Sequence, residues 1–287
     1  MPVTCFIKGG LGNQLFQIYT TTAYAFSHKQ SVVFPYQTEM YGGYTPRSAY
    51  WDTFLAPLRR FTTTAYADLC DLPVIKCPQH HYVAIPDPPL TALTVRLDGY
   101  FQSHKYFAGT DGERLLTRML RITDRIQAIK DVYDLSGTYN VSMHFRLGDY
   151  KQLADYHTVL EDDYYIAALE QVLLRLPNIA DKSVRVYYVC EYEDREEVLG
   201  RVAQMQQQFK GRAEFMPLPA GLVADWAQMM FMSACDANII ANSSFSWWGA
   251  YWNPSPHKIV CYPRRWFGPA LANHDVRDMF PEDWVLV

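Results

Sequence analysis

The chain has 287 residues, of which 49% are hydrophobic and 20% charged, as in an ordinary globular protein. At about 100–200 residues per domain, this length predicts one large domain or two of similar size. A net charge of −4 excludes a general nucleic-acid or anionic-membrane binder. The N-terminus has no signal-peptide pattern and no apolar run approaches the roughly 20 residues of a membrane span, so we expect a cytoplasmic protein. Peripheral membrane attachment and oligomeric state stay open.

The first segment with a clear pattern is an apolar run over Val3–Lys8, which predicts a strand. It continues into a glycine-rich turn and a helical pattern, which is how a Rossmann-like unit begins. Gly10 and Gly12 allow a ligand to approach the backbone closely, and Asn13 brings an amide to the start of the helix. The alternative is a tight turn that only packs helix on strand. Leu15 stands where the dinucleotide fingerprint G-x-G-x-x-G has its third glycine.

Residues 35–89 show no clear periodicity and are rich in proline and aromatic side chains. Aromatic rings in long loops suit the apolar face of a sugar, so we assign Tyr44 and Trp51 to an acceptor. The alternative, equally supported, is that these rings fill the core under the loops. Gln102, which follows a predicted strand over residues 93–97, is assigned to the acceptor as well.

The second half alternates between strand and helix patterns, which predicts a parallel sheet covered on both faces. A helix is predicted over residues 113–131, and the turn that follows it predicts a domain boundary between residues 137 and 138. The domains are then 1–137 and 138–287. Strands are predicted at 139–145, 184–190, 213–217, 238–241 and 258–262, and helices at 163–176, 195–209, 223–235 and 246–252.

Three loops at predicted strand ends carry polar groups, and ligands of open α/β sheets bind at such ends. His144–Tyr150 holds an Arg, whose planar fork suits phosphate oxygens; the alternative is a surface turn with a solvated ion pair. Glu191, after the next strand, could accept a hydrogen bond from a ribose or base, although an acidic helix start explains it better. Asn242–Trp248 offers hydroxyls and N–H groups for an anion, or a simple helix cap.

A metal site is not expected. Cys70 and Cys77 precede two histidines, but their spacing does not match a zinc knuckle. The run Glu161–Asp163 stands where a helix should begin, so capping explains it better than metal binding. No strict Asp-x-Asp motif occurs in the chain.

Four segments resemble, in the same order, the successive motifs of the α-1,2-fucosyltransferases (glycosyltransferase family 11). They are Gly9–Gln17, Gly99–Ser103, His144–Tyr150 and Asn242–Trp248. The resemblance implies an α/β protein of the GT-B type, with two Rossmann-like domains facing across a cleft. The C-terminal domain would bind GDP-L-fucose and the N-terminal domain a galactose-terminated glycan acceptor. It also implies inversion at the anomeric carbon without a metal or other cofactor.

The resemblance also implies roles for individual residues. Arg146 would neutralise the leaving diphosphate, Asp149 and His144 are candidate bases, and Asn13 would orient a substrate. The expected donor contacts are Gly10, Gly12, His144, Arg146, Glu191, Asn242, Ser243, Ser244, Phe245 and Ser246. Two departures from the family pattern matter: Leu147 replaces a second Arg, and the acidic loop at Glu191 is often Ser-Asp-Asp in the family.

Three alternatives remain from the sequence. A related transferase could use another GDP-sugar or form another fucosyl linkage. An NAD-dependent oxidoreductase would account for the glycine-rich turn, but Leu15 disfavours it. An inactive sugar-binding protein would retain the aromatic rings without needing Arg146.

Overall fold

The computed structural model describes residues 2–40, 47–89, 94–176 and 183–287. The chain forms two compact units, one comprising Met1–Ile122 with His274–Pro281 and the other Thr123–Asn273 with Glu282–Val287. The first unit therefore includes a short segment, His274–Pro281, from near the C-terminus. The division after Ile122 falls at the first residue of a helix, whereas the boundary predicted between residues 137 and 138 follows that helix.

The first unit is built on a four-stranded parallel sheet. Its elements are β1 (Pro2–Cys5), α1 (Leu11–Ser27), β2 (Ser31–Val32), β3 (Phe34–Pro35), β4 (Glu39–Met40), β5 (Arg47–Ser48), a 3₁₀ helix (Ala56–Phe61), β6 (Thr62–Thr63), α2 (Ala67–Cys70), β7 (Val74–Cys77), β8 (Val95–Gly99), a 3₁₀ helix (His104–Tyr106) and α3 (Asp111–Met119). The strand order is β2–β1–β8–β7. The short strands pair separately, β3 with β6 and β4 with β5. Strand β7, within the segment that showed no clear pattern, was not predicted.

The single helix predicted over residues 113–131 is wrong. The chain forms α3 and then a second helix that begins at Ile122. Arg121, between them, has a φ of +53°, a left-handed conformation that interrupts the helix. Both segments are amphipathic, so the apolar periodicity gave no sign of the break.

The second unit contains a six-stranded parallel sheet. Its elements are α4 (Ile122–Tyr133), β9 (Tyr139–His144), a 3₁₀ helix (Gly148–Lys151), α5 (Asp162–Arg175), β10 (Val184–Val189), a 3₁₀ helix (Tyr192–Asp194), α6 (Arg195–Gln208), β11 (Glu214–Pro217), α7 (Asp225–Ala234), β12 (Ala237–Ile239), α8 (Ser244–Tyr251), β13 (Ile259–Tyr262), a 3₁₀ helix (Pro269–Leu271) and β14 (Val285–Leu286). The predicted strands and helices of this half are confirmed to within about two residues at each end. Strand β14 was not predicted.

The order of this sheet is β11–β10–β9–β12–β13–β14. Numbered within the unit, this is the 3-2-1-4-5-6 order of a Rossmann fold, whose topological switch point lies between strands 1 and 4. Here those strands are β9 and β12, which pair in parallel. All six residues of β9 are buried, because helices cover both faces of the central strand. The predicted α/β class is confirmed. Among the described residues, no helix is long and apolar enough to cross a membrane.

Candidate active site

The loops after β9 and β12 lie at the switch point of the second unit, where open α/β sheets bind ligands. The hydroxyl of Tyr150, in the first loop, donates to the backbone carbonyl of Asn242 in the second at 3.0 Å. Tyr150 also stacks on His157, with ring centroids 4.3 Å apart. The structure therefore brings together two of the three loops singled out in the sequence, and it fixes their spacing by a direct hydrogen bond.

Arg146 lies in the first loop with its guanidinium held by two carboxylates. Nη2 donates to Asp149 Oδ1 and Nη1 to Glu191 Oε1, so the third predicted loop joins the site as well. The side chain is only 12% exposed and lies over the ring of Tyr150 at 5.0 Å. Burial acts to lower the pKa of Arg146, but Tyr150, Glu191 and Asp149 outweigh it and raise the pKa above its ordinary value. Arg146 is thus a fixed cation at the switch point.

Gly148 allows Glu191 to reach Arg146. Its φ is +29°, and a Cβ at this position would collide with Glu191 Oε2. The Gly148 N–H donates to Asp194 Oδ2 at 2.7 Å, and Asp194 is almost fully buried. Asp194 also accepts from Lys151 at 3.2 Å. Asp194 belongs to the same acidic loop as Glu191 but was not predicted as a site residue; it anchors the loop that carries Arg146.

His144 ends β9 and is only 5% exposed. Burial, and secondarily Arg146, lowers the pKa of its imidazole to about 3. The ring lies 5.6 Å from that of Phe245. Because so weak a base stays neutral at physiological pH, His144 is poorly suited to take a proton from a sugar hydroxyl.

The loop after β12 uses its polar side chains largely to hold itself. Asn242 is buried, and its Nδ2 donates to the carbonyls of Thr158 at 2.8 Å and Trp266 at 3.0 Å. Ser243 caps α8 by accepting from the N–H of Phe245 at 3.3 Å. Ser246 Oγ is buried and donates to the Ser243 carbonyl at 3.3 Å.

Ser244 and Phe245 are the partly exposed residues of this predicted donor segment. They form the first turn of α8, whose N-terminus favours an anion. Trp247 and Trp248, at 0% exposure, fix the other side of the helix in the core. An anion approaching the switch point would therefore meet the N-terminus of a helix anchored in the core.

Leu147, in the place of the family's second Arg, is 0% exposed and packs in the hydrophobic core of the second unit. Its side chain faces away from solvent although its neighbour Arg146 lines the site. Leu147 thus serves as a core residue, and Arg146 is the residue of this motif that can bind an anionic ligand.

In the first unit the glycine-rich turn leads into α1. Gly10 occupies the N-cap position with an ordinary φ of −69°, and a Cβ there would meet nothing within 4 Å. Gly12 is buried in the first turn. Asn13 is partly exposed, and its Oδ1 accepts from Gln102 Nε2 at 2.7 Å. The structure thus brings together two predicted site residues that are 89 positions apart in sequence.

Two buried glutamines, not predicted as site residues, hold this turn. Gln17 pairs with the backbone of Lys8, accepting from its N–H at 3.1 Å and donating to its carbonyl at 2.9 Å. Gln14 donates to the carbonyls of Gly9 at 3.0 Å and Ser48 at 2.9 Å. The signal was present in the sequence, since amides at i and i+3 on an otherwise apolar helix face need buried partners.

The predicted acceptor residues lie in different surroundings. Tyr44 lies outside the described residues. Trp51 is 1% exposed and packs against Phe34, with centroids 5.7 Å apart, which fits the alternative that these rings fill the core. Gln102 is partly exposed and engaged with Asn13.

The acidic run Glu161–Asp163 lies at the start of α5, as predicted, but without side-chain capping. Glu161 is the N-cap residue, although its side chain makes no capping hydrogen bond, and Asp162 pairs with Arg201. Of the two cysteines considered for zinc, Cys70 is exposed and Cys77 buried. Within the described residues, no three His, Cys, Asp or Glu side chains are grouped as metal ligands.

Comparison with known proteins gives relatives that are glycosyltransferases. The chain is 28% identical over 147 residues to the O-antigen biosynthesis glycosyltransferase WbnK of Escherichia coli, a match covering 50% of this chain and 43% of that protein. It is 27% identical over 198 residues to an α-1,2-colitosyltransferase of Escherichia coli, covering 68% of this chain and 63% of the relative. Each match therefore spans less than two thirds of the relative's length. No protein-family model matches the chain.

A solved structure shares the fold. A variant of Arabidopsis thaliana FUT1 in complex with GDP superposes with a TM-score of 0.51 at 10% identity, covering 98% of this chain and 74% of that one. The fucosyltransferase NodZ from Bradyrhizobium is similar at a TM-score of 0.49 and 14% identity, covering 88% and 93% of the two chains. The α/β architecture with two parallel-sheet units is that of the GT-B glycosyltransferases. The relatives confirm the resemblance to the α-1,2-fucosyltransferases.

Proposed function

We propose that this protein is an inverting glycosyltransferase that moves L-fucose from GDP-β-L-fucose to the 2-hydroxyl of a terminal galactose, forming an α-1,2 linkage. The observation that carries the proposal is Arg146, a buried cation at the switch point of the Rossmann-like second unit, close to the loop that leads into α8. This is the place and the charge that the diphosphate of a nucleotide sugar requires. The two glycosyltransferase relatives support the reaction class.

The chemistry follows from the leaving group. As the bond between fucose and phosphate stretches, positive charge builds on the anomeric carbon, as in glycoside hydrolysis, and negative charge builds on the diphosphate. A preorganised cation stabilises that charge where it develops. Arg146 supplies the cation, and the N–H group of Ser244, at the first turn of α8, adds a donor.

The attacking hydroxyl must lose a proton, and the two candidate bases are unequal. His144 has a pKa of about 3 and is nearly inaccessible, so it is a poor acceptor. Asp149 is the stronger candidate by chemistry, but its Oδ1 is bound to Arg146. We infer that Asp149 orients Arg146. Because the bond to the leaving diphosphate breaks before the new bond has largely formed, the proton of the attacking hydroxyl can pass to solvent water without a strong base.

The test is a transfer assay with GDP-fucose and a panel of β-galactosides, with the linkage read by NMR. An α-1,2-fucosylated product is expected. Calorimetric titration of GDP and NAD separates the enzyme classes, since binding of NAD without GDP would favour an oxidoreductase.

We also propose that no metal is needed, because the chain has no Asp-x-Asp motif. Loss of activity in EDTA that Mn²⁺ restores would contradict this.

A second candidate donor is favoured by one of the relatives, which is named as an α-1,2-colitosyltransferase. The same phosphate-binding arrangement would serve any GDP-sugar. Supplying a colitose donor in parallel with GDP-fucose, at equal concentration, distinguishes the two. A higher kcat/KM with colitose would reassign the sugar while leaving the role of Arg146 intact.

A further inference from the structure

A chain of polar side chains in the first unit joins four segments that are distant in sequence. Asn13, in the first turn of α1, accepts from Gln102, which lies after β8. Gln102 is hydrogen-bonded to the His80 side chain, which follows β7. His80 stacks on His274, the first residue of the segment His274–Pro281, with ring centroids 4.4 Å apart. The order is therefore Asn13, Gln102, His80 and His274.

The hydrogen bonds in this chain have a direction. Nε2 of Gln102 donates to Asn13 Oδ1 at 2.7 Å, so we assign the bond with His80 to Gln102 Oε1, with the imidazole as donor. The side-chain oxygen of Asn13 therefore already accepts a hydrogen bond from Gln102. Among the described residues no hydrogen bond uses Asn13 Nδ2, so the amide group is left to donate to a ligand. Rotation of the carboxamide by 180° would place two donors face to face.

The backbone around Gln102 is constrained in ways that serve this geometry. Phe101 has a φ of +53°, a left-handed conformation that is costly for an aromatic residue, and its side chain is buried. A Cβ on Gly99 would lie 2.5 Å from the carbonyl oxygen of Cys77, so β8 and β7 approach closely there. Ser103 Oγ donates to the Asp278 carbonyl at 2.5 Å, which ties the segment on its other side.

The Asn13 carboxamide also depends on a missing side chain. A Cβ on Gly9 would lie only 2.7 Å from Asn13 Nδ2, and the φ of Gly9 is +83°. Gly9 thus leaves the room that this orientation of Asn13 occupies. Gly9 and Gln102 therefore both act on the Asn13 carboxamide and limit its orientation.

We propose that Gln102, supported by His80, is a positioning residue that fixes the Asn13 carboxamide with its amino group available to a substrate oxygen. The proposal rests on the proposed function, in which Asn13 orients a substrate. Gln102 then acts through Asn13 and needs no contact with substrate. His80 contributes by donating a hydrogen bond, and His274 by stacking on the imidazole.

A double-mutant cycle in GDP-fucose transfer tests this. Q102A is expected to lower kcat/KM by about ten- to a hundred-fold, as small misplacements of orienting groups do. In the N13A background the same substitution should have no further effect. Effects that multiply would show that Gln102 contacts substrate itself and would overturn the proposal. Q204A, on an exposed position of α6, is the matched control.

His80 has its own pair of variants. H80A should lose part of the activity, and H80N, which retains an N–H donor near the same place, should recover most of it. Equal losses in the two variants would contradict a donor role. Thermal unfolding midpoints measured on each variant separate loss of orientation from loss of fold.

A readout that does not depend on activity separates failure of this proposal from failure of the proposed function. By NMR, the Gln102 side-chain amide protons should exchange with solvent more slowly than those of Gln204, and H80A should reduce that protection. Fast exchange of these protons in the wild-type protein would refute the positioning role of Gln102, even if GDP-fucose transfer is observed. Slow exchange of the Gln102 amide protons without GDP-fucose transfer would support the contacts among Asn13, Gln102 and His80 and reject the proposed reaction.

Discussion

Glu191 packs against Gly148: one carboxylate oxygen of Glu191 lies too close to leave room for a Cβ on residue 148, and the other accepts from Arg146. The glycine of the motif is thus explained by a residue 43 positions later in the chain. The contact also leaves Arg146 between two carboxylates, Asp149 and Glu191. Because the two carboxylates occupy both Nη atoms of Arg146, we expect one of them to release the guanidinium when a diphosphate binds.

Glu191 is the carboxylate we expect to move, because its side chain is 37% exposed whereas that of Asp149 is 24% exposed. E191Q should therefore tighten the binding of inorganic diphosphate by about two- to five-fold, the worth of a partly exposed ion pair. Calorimetric titration measures the change. E193Q removes a charge from the same exposed loop without touching Arg146 and should have little effect. Unchanged or weaker diphosphate binding in E191Q would argue against displacement.

Substitution of Gly148 should damage the same contact. G148A forces a Cβ into Glu191 and a side chain into a φ of +29°, so we expect the free energy of unfolding to fall by about 1–3 kcal/mol. Urea denaturation monitored by tryptophan fluorescence provides the measurement. G137A is the matched control, since a Cβ on Gly137 meets nothing within 4 Å. Equal stability of the two variants would mean that Gly148 is not under steric constraint.

Restoring the family's second arginine should fail. Leu147 is 0% exposed in the core of the second unit, so L147R would bury a guanidinium without a partner. We expect a loss of stability of about 3 kcal/mol or more, with no gain in affinity for GDP. L147M, which conserves volume and polarity, should cost less than about 1.5 kcal/mol. A stable L147R with tighter GDP binding would show that this side chain can reach the ligand.

The buried His144 predicts how stability depends on pH. Its pKa is about 3 in the folded protein, against about 6.5 in an unfolded chain. Below pH 6.5 the imidazole binds a proton in the unfolded state but not in the folded state. The free energy of unfolding therefore falls as the pH falls from 6.5 towards 3. Between pH 7 and pH 5 the loss from this group should be about 2 kcal/mol. Urea denaturation at the two pH values, with H144F as the control lacking the titration, measures it; equal slopes would contradict the assignment.

The regular elements of the second unit were predictable from the sequence because strands and helices alternate with clear periods. The order of the strands in the sheet, which puts the switch point between β9 and β12, was not predicted. The loops were identified by composition, yet their contacts were not. Asp194 and Glu191 looked like an acidic helix start, and only the folded loop shows them meeting Gly148 and Arg146. Periodicity carries no information about such cross-loop contacts.

The first unit was less predictable for a different reason. Strand β7 and the left-handed Arg121 and Phe101 depend on tertiary packing that overrides local preference. The amides of Gln14, Gln17 and Gln102 could be recognised as polar groups in apolar surroundings, but their partners lie in distant segments. Aromatic content alone did not separate a sugar platform from a core residue, as Trp51 shows.

The most direct test of the account is calorimetric titration of GDP into the wild-type protein and into R146K and R146A. R146K retains the charge beside Asp149 and Glu191 but loses the planar fork, so it should bind GDP more weakly than wild type, and R146A more weakly still, with both variants folded by circular dichroism. Wild-type affinity for GDP in a folded R146A would contradict the claim that Arg146 holds the diphosphate.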